Sequence, residues 1–103
     1  MRLFQLQEAK YHGSTKYFSV TVGAIPGRRY GYIIEFLVAA NTPDEAKEIV
    51  KPNFPGAEFD VEPINDEYLT DFGYADFEEF AQSLPDGEQV PEYGQATYVM
   101  SGT

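Results

Sequence analysis

The chain has 103 residues, with seven Lys or Arg against seventeen Asp or Glu and a formal net charge of −10. That length is one domain, residues 1–103, able to bury a real core without staples. There is no Cys and a single His, which excludes disulfides, thiol chemistry, cysteine-ligated metal and any multi-histidine site.

Arg2 to Lys10 opens the chain with Leu3, Phe4 and Leu6 among polar residues, a mixed alternation that predicts a first strand. No long apolar segment occurs there, so neither a signal peptide nor a membrane anchor is expected, and the expected location is cytoplasmic. His12-Gly13-Ser14-Thr15 reads as a turn, with His12 a surface residue. Lys16 to Val22 alternates cleanly, with Phe18, Val20 and Val22 on one face and Tyr17, Ser19 and Thr21 on the other. Pro26-Gly27 suits a type II turn in the hairpin connection that follows, because Gly accepts the positive φ of that turn's third position.

Tyr30 to Val50 is the organising stretch. Ile33, Ile34, Phe36, Leu37 and Val38 form a near-continuous apolar run, the pattern of a strand buried on both faces. Glu35 is the one charge inside it. It either faces solvent or a neighbouring base, or it is a buried carboxylate with a functional role; the first reading is favoured, since structural pairs are common. Thr42-Pro43-Asp44-Glu45 then has the form of a capping box with Pro at the first helical position. Ala46, Ile49 and Val50 make the buried stripe, and Pro52 ends the helix near Lys51.

Glu58 to Glu62 alternates again, Phe59 and Val61 inward, and Pro63 marks an edge strand or its end. Asp66 to Leu84 is helical in two pieces that break at Gly73, the second started by Asp76 with Glu79. Pro85-Asp86-Gly87 is a turn, and Thr97 to Met100 allows either a last short strand or a tail that lies over the core. The expected core contains Ile33, Ile34, Phe36, Val38, Ile49, Phe59 and Leu69, with most of Phe72, Phe77 and Phe80. The expected fold class is α+β: a small antiparallel meander of three N-terminal strands, then α, β, α and the last strand, with the helices on one face of the sheet.

No motif carries chemistry. Gly23, Gly27 and Gly31 fit no phosphate loop, and no Ser or Cys pattern suggests a nucleophile. Asp60, Glu62, Asp66 and Asp71 would bind a hard cation only if the fold gathered them, and no cofactor or metal is expected. Arg28 and Arg29 beside Tyr30 and Tyr32 are two bases in a strongly acidic chain, too few for direct nucleic-acid binding.

The charge distribution carries the functional reading. All seven bases lie in residues 1–51, whereas residues 52–103 hold twelve carboxylates and no base. Nine of these fall on expected ordered elements: Glu58, Asp60 and Glu62 on the strand, and Asp66, Glu67, Asp71, Asp76, Glu78 and Glu79 on the helical region. The three on the strand repeat at about 7 Å, broadly the spacing of phosphates along one DNA strand. Small, compact, acidic, aromatic and without a catalytic motif, the chain is similar in kind to phage-encoded anti-defence proteins, including anti-CRISPR and anti-restriction DNA mimics; the likeness is one of character and rests on no shared motif. The expected function is a non-enzymatic inhibitor whose acidic half docks on a basic, nucleic-acid-handling protein. A small carboxylate- or metal-dependent enzyme and an accessory subunit that completes an assembly through its sheet edge are the alternatives.

Overall fold

The structure, a computed structural model, describes residues 16–102. The strand expected over 2–10 and the turn containing His12 lie outside the described residues. Four strands form one antiparallel sheet: β1 (Lys16–Gly23), β2 (Ile33–Ala40), β3 (Glu58–Pro63) and β4 (Ala96–Gly102), in the order β3-β1-β2-β4. Among the described residues three α-helices accompany it, α1 (Pro43–Val50), α2 (Asp66–Asp71) and α3 (Phe77–Gln82). The fold is therefore α+β, and of the described strands β1 and β2 are interior and β3 and β4 at the edges.

The apolar run of β2 dictates the layering. Phe18 pairs with Val38 and Val20 with Phe36, which places the odd and even positions of both strands on opposite faces. On the upper face Phe18, Val20, Val22, Val38 and Ala40 are buried against Ala46 and Val50 of α1. On the lower face Leu37 is buried against Tyr68 and Leu69 of α2 and Phe80 of α3. The helices thus take both faces, where the sequence analysis put them on one. The physical reason was already in β2: a strand apolar on both sides needs cover on both sides.

α1 begins as its local chemistry requires. The Thr42 hydroxyl accepts from the Glu45 N–H at 3.1 Å, and the Glu45 carboxylate accepts from the Asn41 N–H at 2.7 Å, one residue upstream of a regular capping box. The other Glu45 oxygen accepts from the Tyr93 hydroxyl at 2.6 Å, so the cap of α1 also fastens the segment that leads into β4. Tyr93 is buried. Tyr93→Phe is therefore expected to cost about 1.5–3 kcal/mol, the range for a hydrogen bond to a charged group, measurable as a lower urea midpoint at unchanged slope.

Burial follows the expected core at Ile34, Val38, Leu69 and Phe80. Ile33, Phe36, Ile49, Phe59 and Phe77 are half-buried. Phe72 is 60% exposed, a correction to the expected core. It is the C-cap of α2, its N–H still donating to the Tyr68 carbonyl at 3.1 Å, and its ring lies tilted beside that of Tyr68, 4.6 Å between centroids.

Candidate functional site

The acidic surface is built from three elements. β3 is an edge strand whose Phe59 and Val61 pack toward the upper core, so Glu58, Asp60 and Glu62 project to the lower side. Glu62 lies opposite Ser19 and Asp60 opposite Thr21 on β1, which confirms that side. α2 and α3 lie on the same lower side, and the short helices are held in place by their caps. The Asn65 side chain accepts from the Tyr68 N–H at 2.9 Å, and that of Asp76 from the Glu79 N–H at 2.9 Å. Gly73, at φ 85°, makes the break between them, a conformation that a side chain would strain.

Glu58, Asp60, Glu62, Asp66, Glu67, Asp71, Asp76, Glu78 and Glu79 are all exposed. Three project from the lower face of the sheet and six lie on the helices that cover that face. Acidic residues in the first turns of α2 and α3 (Asp66, Glu67; Glu78, Glu79) also meet the positive ends of those helices. Among the described residues, no group of three or more His, Asp or Glu side chains converges as a metal site. Asp60, Glu62, Asp66 and Asp71 are thus not gathered into such a group.

Glu35 has a different place. It stands on the lower face of β2, half-buried, and one of its oxygens accepts from both the Ser19 hydroxyl at 2.7 Å and the Tyr68 hydroxyl at 3.3 Å. Ser19 and Tyr68 are buried. Among the described residues its side-chain partners are two hydroxyls, both at the same carboxylate oxygen. Sequence reasoning missed this cluster, since Tyr68 reads only as part of an apolar helical stripe and lies 33 positions from Glu35.

Burial pushes the Tyr68 hydroxyl up to about 12, and the nearby Glu35 and Glu62 carboxylates add to the rise, while its contact with Ser19 offsets part of it. The folded state holds the protonated phenol more tightly than the unfolded chain does. Its contribution to stability is thus complete below pH 10 and lost as pH rises from there through about 12. Urea unfolding across that window is expected to fall more steeply for the parent than for Tyr68→Phe; parallel curves would show that this phenol is not coupled to folding.

An apolar hollow of about 300 Å³ opens on the upper face between Phe36, Val50, Asn53, Phe54 and Ala96, beyond the part of the sheet that α1 covers. Its lining holds no ionisable group. Arg28 and Arg29 are exposed on the β1–β2 connection, and the Arg28 guanidinium lies 5.2 Å from the Tyr32 ring centroid. No helix among the described residues is long and apolar enough to cross a membrane. Comparison with protein families, with curated proteins and with solved structures finds no match to this chain.

Proposed function

We propose that this chain is a non-enzymatic, cytoplasmic interaction protein that docks on a basic, nucleic-acid-handling protein through Glu58, Asp60, Glu62, Asp66, Glu67, Asp71, Asp76, Glu78 and Glu79, and there takes the place of nucleic acid. One observation carries the reading: nine exposed carboxylates sit on a strand and two capped helices on one side of the sheet, in a half of the chain that holds no base. Flexible acidic tails solvate; acids on ordered elements present a fixed charge pattern. The strand supplies carboxylates at about 7 Å intervals, and the phosphate backbone that such an array imitates supplies most of the affinity in protein–nucleic acid contacts. The partner's own phosphate-binding groove is the complementary surface.

The test is capture on the immobilised chain from native lysate, identification of the prey by mass spectrometry, and a wash with duplex DNA. A basic nucleic-acid-binding enzyme that DNA displaces supports the reading. A prey that stays bound while saturated with DNA contradicts it, because mimicry requires the two ligands to exclude each other.

A further inference from the structure

The lower layer differs from the upper one in what holds it. α1 is eight residues long, and its buried Ala46 and Val50 cover the upper core over β1, β2 and β3. α2 and α3 are six residues each, too short to be stable alone. They are held by Leu69 and Phe80 under Leu37, by ring contacts such as Tyr17 on Phe77 at 4.7 Å, and by the Tyr68–Glu35 bond. Residues 64–84 contain six carboxylates, Asp66, Glu67, Asp71, Asp76, Glu78 and Glu79, and no base. The sheet face beneath carries four more, Glu35, Glu58, Asp60 and Glu62. Docking the layer therefore crowds like charges, and that repulsion acts against a modest apolar contact.

We infer that residues 64–84 open from the sheet as one unit, latched by the Tyr68–Glu35 hydrogen bond and pushed outward by the carboxylates they share with β3 and β2. The unit has natural ends. Its first residue is pinned by the Ile64 N–H donating to the Tyr17 carbonyl at 2.9 Å, and its last precedes Pro85. Opening exposes Leu37 and the underside of β1 and β2 but leaves the upper core closed, which is what allows it to precede global unfolding. Cations that gather on the carboxylates shift the balance toward the docked state by mass action.

Native-state hydrogen exchange on the whole chain tests this. The helical amides of Leu69, Phe72 and Phe80 are expected to share one opening equilibrium, faster than that of Val20 and Leu37 in the central strands. Tyr68→Phe should speed exchange of the layer about tenfold, through loss of one hydrogen bond to a charged acceptor. Asp71→Asn with Glu78→Gln, both exposed, should slow it about two- to fivefold, as should spermine or added KCl. Val50→Ala, on the upper face, should speed the central-strand amides and leave the layer unchanged. The inference is overturned if the layer exchanges at the rate of the central strands, if Val50→Ala speeds both alike, or if neutralising the two acids does not slow the layer. None of these readouts involves a partner, so their failure leaves the docking proposal standing, and the reverse.

Discussion

Leu37→Ala is expected to cost about 3–5 kcal/mol, the range for a buried Leu whose surroundings cannot collapse into the space it leaves. Leu37 is 0% exposed, on an interior strand, and is the lower-face residue against which Tyr68, Leu69 and Phe80 pack. It is therefore the point at which the acidic layer meets the sheet. A domain of this size holds only about 5–15 kcal/mol in total, and each kcal/mol moves the midpoint by about 4–8 °C, so the variant should melt more than about 12 °C below the parent. Phe72→Ala is the contrasting variant. The Phe72 ring is exposed and makes a tilted ring contact with Tyr68, so its loss should cost about 1 kcal/mol. Similar losses at the two positions would mean that α2 is seated differently.

The second large effect is expected at the acidic face. Replacing Asp71, Glu78 and Glu79 with Lys changes three exposed positions and none of the buried ones. Each replacement moves the net charge by two, so the chain goes from −10 to −4 and the face acquires positive groups. Steering raises association rates by about 10- to 1000-fold over a neutral pair, and reversal of three charges in the recognition patch should remove at least about tenfold of that. Folding should survive, since Asp76, the cap of α3, is left in place; circular dichroism checks this before binding is measured. Arg28→Ala with Arg29→Ala lies at the other end of the chain's charge split and is expected to change binding little.

The elements that were legible in the sequence carry strong local signals. Thr42-Pro43 and Glu45 mark the start of α1 through groups within a few residues of one another, and Gly73 marks the break between α2 and α3 through backbone conformation alone. The alternation in β1 and β3 is legible because the sheet period is two and one face of each is buried. What was illegible depends on contacts between distant parts of the chain. Helix spacing places Tyr68, Leu69 and Phe72 on one stripe, but only the structure shows that the first two are buried and Phe72, the C-cap of α2, is exposed. Glu35 could be read as solvated or buried, and its two hydroxyl partners come from β1 and from a helix two elements away. Phe36 sits in the apolar run yet is half-buried, because α1 packs over β1, β2 and β3 and leaves the β4 side of the upper face open.

For the acidic site, the sequence shows which residues carry charge and that they alternate with apolar ones. It does not show that the strand's acids and the helices share one side of the sheet. That follows from β3 joining β1 at the sheet edge, which turns Glu58, Asp60 and Glu62 to the side occupied by α2 and α3.

The measurement that tests the account most directly is the association rate of the captured partner with three forms of this chain, the parent, the Asp71→Lys, Glu78→Lys, Glu79→Lys triple variant and the Arg28→Ala, Arg29→Ala double variant, each across a salt series. The account predicts that the parent and the double variant associate rapidly at low salt and slow steeply as salt rises, while the triple variant is slow throughout with little salt dependence. A triple variant that binds like the parent, alongside a double variant that does not, would contradict it and place recognition at the β1–β2 connection instead.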